Sequence, residues 1–173
     1  MISCVVSLMS ICIVLCIIVS MMSMRIANEA AMRMENAMSA SGIAGLSVDL
    51  EKYASSFLNG DALVVVSDAE TSYELYKKTF NINISDTEGF INNINIKKYI
   101  VYNYFNAENK TDIYYFNQNG CVKKETKYGD VFAPNGIKVK KTSVFAEVEF
   151  DLELFGKMKF LCHKQLLTSA DKK

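Results

Sequence analysis

Residues 2–24 read ISCVVSLMSICIVLCIIVSMMSM, an apolar run without one charged side chain, and the pattern changes at Arg25. As a helix, such a run reaches about 35 Å, enough to cross a hydrocarbon core of about 30 Å. Its β-branched stretch Ile11–Val19 suits lipid, where unmet backbone hydrogen bonds force the helix. A cleaved signal peptide has a shorter apolar core of about 7–15 residues and ends at a small-residue site. Here the run ends Met21-Met22-Ser23-Met24-Arg25, and Leu15 precedes Cys16 where a lipoprotein signal needs a small residue. Residues 1–24 are therefore expected to be a transmembrane anchor.

From Arg25 the spacing becomes that of an amphipathic helix. Met24, Ala27, Ala31, Met34 and Met38 fall on one stripe, and Arg25/Glu29 and Glu29/Arg33 are i,i+4 pairs. A helical stalk is predicted over 25–60, with a bend at Ser39–Gly45, resumed helix over Asp49–Phe57, and a stop at Asn59-Gly60. The small and Met-rich positions Ala27, Ala31, Met34, Met38, Gly42 and Gly45 are candidates for helix–helix assembly. The competing use of the same stripe is to be covered by the protein's own globular part.

Residues 61–173 alternate differently. Ala62–Val66 is a continuous apolar run and predicts a buried strand. Ser67-Asp-Ala-Glu70 has the form of a capping box, opening a helix to about Phe80. Asn81–Asn93 is polar and is expected to be a loop. Ile94–Phe105 places Ile94, Ile96, Ile100, Tyr102 and Tyr104 on one face of a strand. Asp112–Gln118 and Cys121–Lys127 flank Asn119-Gly120, a hairpin signal. Pro134-Asn-Gly136 marks a turn. Val144–Leu154 alternates most clearly: Val144, Ala146, Val148, Phe150, Leu152 and Leu154 face one way, and Phe145, Glu147, Glu149, Asp151 and Glu153 the other. A last strand follows over Lys157–Gln165. A three-residue loop Leu154-Phe155-Gly156 would set Glu153 opposite Lys157, Asp151 opposite Lys159, Phe150 opposite Phe160, Val148 opposite Cys162 and Glu147 opposite His163. The fold class expected is α+β: a transmembrane helix continuing into a stalk, a β-α unit, then an antiparallel sheet of four to five strands.

Composition narrows the function. Aromatic and β-branched residues are too plentiful for a disordered chain. Lys+Arg equals Asp+Glu, which argues against a nucleic-acid partner. The balance is uneven along the chain, however. Residues 61–96 hold 2 basic against 6 acidic side chains, and 97–173 hold 14 against 9. That polarity suits head-to-tail docking or an anionic surface, while lysines at Lys123, Lys124, Lys138, Lys140 and Lys141 also suit a solvated sheet edge.

Candidate chemistry is sparse. The acidic stripe Glu147/Glu149/Asp151/Glu153 has alternate residues about 6.7 Å apart, too far for a tight metal cage, and a salt-bridged face is the expectation. His163 is the only histidine and lies near no Ser or Cys nucleophile motif. Cys4, Cys12 and Cys16 belong to the anchor. Cys121 and Cys162 could form a disulfide in an oxidising compartment or remain buried thiols. No catalytic, cofactor or metal residues are expected, and the chain is read as no enzyme.

Three phrases carry a resemblance: Asn36-Ala-Met-Ser-Ala-Ser-Gly-Ile-Ala-Gly-Leu-Ser-Val-Asp-Leu-Glu-Lys-Tyr53 after a short anchor, Ser72-Tyr-Glu-Leu-Tyr-Lys-Lys-Thr-Phe80, and Pro134-Asn-Gly-Ile-Lys-Val-Lys-Lys-Thr-Ser-Val-Phe-Ala-Glu-Val-Glu-Phe150. With this layout the chain resembles the TadE/TadG-like, pilin-like membrane proteins of Gram-positive tight-adherence (Flp) pilus systems. The resemblance implies a minor pilin or pseudopilin-like component, held in the cytoplasmic membrane with its globular part outside. Its implied partners are the lipid bilayer, other pilus or secretion-system membrane subunits, and further copies of itself through the N-terminal helix. Neither a prepilin-peptidase site nor a Glu inside the apolar helix is present, which favours an assembly or initiation role over polymerisation as a major pilin. A basic leader upstream of Met1 is expected. Arg25 and Arg33, read by the positive-inside rule alone, favour the opposite orientation. The alternative function is a membrane-tethered extracellular ligand-binding or sensory module.

Overall fold

The computed structural model describes residues 2–47, 49, 51, 54–55, 64–85, 89–116, 122–154 and 158–170. Helix α1 runs unbroken over Ile2–Gly45, about 66 Å long. Helix α2 covers Ala69–Ile84. Five strands follow: β1 Ile91–Phe105, β2 Lys110–Phe116, β3 Val122–Tyr128, β4 Ser143–Leu154 and β5 Met158–Ser169. They form one antiparallel sheet in the order β3-β2-β1-β4-β5. The α+β class is as expected, and several details differ.

Helix α1 ends at Gly45, within the expected bend: Leu46 N–H still reaches the Gly42 carbonyl at 3.1 Å, and among the described residues of 46–57 Glu51, Ala54 and Ser55 are again helical. The expected stop at Asn59-Gly60 lies outside the described residues. Both helix glycines serve close approach instead. A Cβ on Gly42 would sit 2.7 Å from Thr168 Cβ on β5, and one on Gly45 would meet the Tyr99 hydroxyl and lie 3.3 Å from the Ser72 carbonyl.

Helix α2 is capped by Asp68, one residue later than the capping box predicts. Its carboxylate accepts from Glu70 N (3.4 Å), Thr71 N (2.8 Å) and the Thr71 hydroxyl (2.5 Å). The helix also outruns its expected end at Phe80, taking four residues from the predicted loop. With its first turn beside Gly45, α2 packs back along α1. Ser72 Oγ donates to the Gly45 carbonyl at 2.6 Å.

Both helices cover one sheet face. The core there joins Ala30, Met34, Ala37 and Met38 of α1, Tyr73, Tyr76 and Phe80 of α2, and Tyr99, Val101, Phe116, Val144, Ala146, Val148, Phe150 and Leu152 of the sheet. The Tyr99 ring meets Tyr73 and Tyr76 in tilted pairs, with centroids 5.2 and 4.9 Å apart. The opposite face holds a second core that the sequence pattern does not predict. Ile100, Tyr102, Ile113 and Phe145 are covered by Val131, Ala133 and Val139, from the segment between β3 and β4.

One expected strand feature is corrected. Ile94, Ile96, Ile100 and Tyr102 do not share a face. Strand β1 has irregularities between Asn92/Asn95 and Ile96/Lys98, with Asn93 at φ 51°, so Ile94 and Ile96 pack toward the helices while Ile100 and Tyr102 face away. An inserted residue flips every later side chain, which is what a bulge does. Of the expected strand Ala62–Val66, residues 62–63 lie outside the described residues; Val65 and Val66 are buried outside the five-stranded sheet, and the run 64–67 lies against 47–49, with Asp49 N donating to the Val65 carbonyl at 2.9 Å and Ser67 N to the Ser47 carbonyl at 3.3 Å. Side chains meet other polar groups of the run: Asn103 brackets Val66, accepting from its N–H at 2.8 Å and donating to its carbonyl at 3.2 Å. The Thr142 hydroxyl donates to the Val64 carbonyl.

Candidate functional site

The surface that distinguishes this chain is α1 itself, and it divides into two halves. From Val5 to Val19 every side chain is exposed, on all sides of the helix. A window of this half has mean hydropathy 2.8, and none of that window is buried against the rest of the protein. By length and composition it is a candidate single membrane span. Two of its serines bond to the helix itself: Ser10 Oγ donates to the Val6 carbonyl and Ser23 Oγ to the Val19 carbonyl, both at 2.9 Å. Cys12 and Cys16 are exposed free thiols on this half.

The second half is taken up by the protein's own domain. Of the positions expected to mediate assembly, Met34 and Met38 are 0% and 1% exposed in the helix–sheet core. Gly42 and Gly45 are buried against Thr168, Tyr99 and Ser72. Ala27 packs at the margin of that core, and Ala31 is half-buried. The outward face of the same half carries Met32 and Ile43, both exposed, and the Glu29–Arg33 ion pair at 2.6 Å. Arg33 also lies over the Phe90 ring, 5.4 Å from its centroid. Glu35 is bound by Lys164 of β5 at 2.7 Å, an interaction that holds its carboxyl below the ordinary range.

The acidic stripe of β4 is a salt-bridged face, with its lysines on a different strand from the one expected. Lys97 and Lys98 of β1 meet Glu149 at 2.9 Å and Glu147 at 3.2 Å. Asn93 donates to Asp151 at 2.7 Å, and Asn92 to Glu153 at 3.3 Å. The β1 irregularity between Ile96 and Lys98 is what lets consecutive lysines serve this face. On the other side the β4–β5 register is displaced by two residues from the one deduced. Glu153 faces Lys159, Leu152 faces Phe160, Phe150 faces Cys162, and His163 faces Glu149, with 3.7 Å between Nε2 and the carboxylate. A two-residue slip keeps every side chain on its face, so alternation alone cannot choose between the two registers. Among the described residues no group of His, Cys, Asp and Glu could hold a metal ion.

Cys162 is a free, half-buried thiol on β5, raised in pKa by that burial. Cys121 lies outside the described residues. Strands β3 and β5 are the two opposite edges of the sheet. Two lysines of the β3 edge are locally paired, Lys124 with Asp112 at 3.5 Å and Lys127 with Glu125 at 3.5 Å, and Lys138 binds Asp130 at 2.6 Å. A surface depression of about 220 Å³ lies between α2 and the start of β1, lined by Tyr73, Lys77, Phe80, Ile84, Ile94 and Ile96 among others.

The chain matches no family model, no curated protein and no solved structure. The geometry of α1 and the head therefore carries the functional argument.

Proposed function

We propose that this protein is a non-enzymatic, single-pass membrane-anchored subunit of a Tad-type pilus or secretion apparatus, with its α+β head on the outer side of the cytoplasmic membrane. One observation carries the anchoring part of this reading: a continuous helix whose first half is apolar and exposed on every side, and whose second half is the central element of a folded head. The rigid connection suits a role in positioning the head at a fixed height over the membrane. The likeness of the phrases at 36–53, 72–80 and 134–150 to TadE/TadG-like proteins supports the assignment to a pilus system. With Met34, Met38, Gly42 and Gly45 occupied by the head, contacts to partner helices fall to the 2–24 half and to the outward face at Met32 and Ile43.

Gentle crosslinking in intact cells followed by purification from membranes tests the proposal. Recovery with other membrane subunits of a pilus or secretion system is the expected result. A monomer that purifies alone sinks the assembly role. Genes for a secretion ATPase and polytopic Tad-type membrane proteins beside this one would support it, and a neighbouring kinase or transporter would favour a tethered sensory module.

A further inference from the structure

Strand β5 alternates in exposure from Cys162 to Leu166, as expected where α1 covers one face. Toward its N-terminal end the alternation stops. Met158, Lys159, Phe160 and Leu161 are all exposed, with the three apolar residues at 54%, 48% and 62%. Met158 and Phe160 continue the helix-side face, opposite Leu154 and Leu152, while Leu161 lies on the other face opposite Asp151. An apolar strand end bare on both faces is unusual in a head whose other apolar strand positions are so largely covered.

Its height along α1 explains what could cover it. Thr168 lies against Gly42, and Lys164 binds Glu35. Those seven helix residues rise about 10 Å, so β5 descends toward the N-terminus of α1 by about 2.6 Å per residue. At that pitch Phe160 lies about 21 Å, and Met158 about 26 Å, below Thr168. Arg25, where the apolar run stops, lies about 26 Å below Gly42. The strand end thus comes down to the level where the uncharged segment begins. One contact agrees with this low position: Ile26, next to Arg25, packs against the head core.

We propose that the β5 start, through Met158, Phe160 and Leu161, is a second membrane-contact surface that rests in the interfacial layer of the same bilayer α1 crosses. This rests on the anchored reading above. The lipid occupant follows from continuity with the anchor, from exposure of apolar side chains on both faces of the strand, and from Lys159 among them, whose stem and charge suit the headgroup layer. The head is then held at two points, which fixes its orientation to the membrane plane.

The chain contains no tryptophan, so single tryptophans report cleanly on depth. The full chain carrying Phe160→Trp or Leu161→Trp is reconstituted at low protein-to-lipid ratio into phosphatidylcholine/phosphatidylglycerol vesicles, with or without acyl-chain-brominated lipid. Tyr128→Trp, at an exposed position on the far edge strand, serves as the distal control, and Ile17→Trp reports the anchor itself. Severalfold stronger quenching of Phe160→Trp and Leu161→Trp than of Tyr128→Trp, unchanged on further dilution, is the expected result. If both are quenched no more than Tyr128→Trp while Ile17→Trp is quenched, the second contact is wrong and the anchor stands. Protection that appears only at high protein-to-lipid ratio, without bromolipid quenching, assigns the surface to a second copy and overturns the proposal. An unquenched Ile17→Trp removes the anchored reading and this inference with it.

Discussion

Gly42→Ala should lower the stability of the head, against the ordinary helix preference. In an exposed helix interior the substitution gains about 1 kcal/mol. At Gly42 the new methyl carbon would lie 2.7 Å from Thr168 Cβ and 3.1 Å from its Cγ2, with the hydroxyl closer still. Carbon pairs favour about 3.5–4.0 Å, so α1 and β5 must separate by roughly 1 Å or distort. Overpacking of this kind costs about 1–3 kcal/mol. With a central value of about 2 kcal/mol, the net effect is a loss of about 1 kcal/mol, or about 4 °C in Tm for a head of this size. Removing the obstacle should reverse the sign: in a Thr168→Gly background, Gly42→Ala should stabilise by about 1 kcal/mol, a coupling of about 2 kcal/mol between the sites. Near-UV circular dichroism of the packed Tyr73, Tyr76 and Tyr99 rings, followed against temperature for the full chain in detergent micelles, reads out the core. Stabilisation by Gly42→Ala in the wild-type background would refute the close packing of α1 on β5. So would a coupling below about 0.5 kcal/mol.

Other substitutions separate the two sides of the same helix. Met34→Ala should cost about 2–5 kcal/mol, whereas Met32→Ala should change stability by no more than about 0.5 kcal/mol; equal effects in thermal melts would contradict the assignment of the stripe to the head. Tyr76→Phe should be neutral or stabilising, because the Tyr76 hydroxyl is buried with no hydrogen-bond partner among the described residues. Tyr99→Phe should instead cost about 1–2 kcal/mol, since that hydroxyl donates to the Ser72 carbonyl at 3.1 Å and lies 2.7 Å from Ser72 Oγ. Asp68 is held below the ordinary carboxylate range by hydrogen bonds from the Thr71 hydroxyl and then the Thr71 amide. Its contribution is therefore complete above the unfolded value near ~3.9 and is lost as pH falls through the lower folded value. Asp68→Asn retains an acceptor that does not titrate, so melting curves across acid pH should show a smaller acid loss than wild type; an unchanged acid limb would remove Asp68 as its source.

How far the fold was readable depended on what each pattern could discriminate. Alternation in β4 separated its faces because one looks at the helix-side core and the other carries paired carboxylates. It could not fix the β4–β5 register, since a shift of two residues leaves both faces intact. The β1 irregularities escaped because Ile94, Ile96, Ile100 and Tyr102 keep even spacing in sequence while the backbone inserts a residue between the pairs. Val131, Ala133 and Val139 have no long periodic run around them, so nothing marked their segment as the cover of a second core. Val65 and Val66 are buried and apolar as a strand would be, but their run pairs with the backbone of 47–49 and with the side chains of Asn103 and Thr142 rather than with the main sheet, a setting that an apolar run alone does not specify. The membrane-proximal stripe was visible, but its destination was not. A core and a partner helix ask for the same small and Met-rich residues at the same spacing.

The two halves of α1 differ in how many sides must be covered, and this bears on assembly. The upper half has one apolar stripe, Ala30, Met34, Ala37 and Met38, and a single layer of head satisfies it. In the lower half Val5, Leu8, Ile11, Val14 and Ile18 alternate around the axis with Val6, Met9, Ile13 and Ile17, so every side is apolar. One partner helix covers only a stripe and would leave the remaining sides in water. Each large apolar side chain left uncovered forgoes about 1.5–3 kcal/mol, and over this segment the sum exceeds the about 5–15 kcal/mol that holds a domain together. A dimer formed through the lower helix would therefore still need lipid around it. Leaving the bilayer for an assembly would require several neighbouring helices enclosing α1 at once. Under the anchored reading proposed above, departure from lipid is thus coupled to entry into a multi-helix bundle.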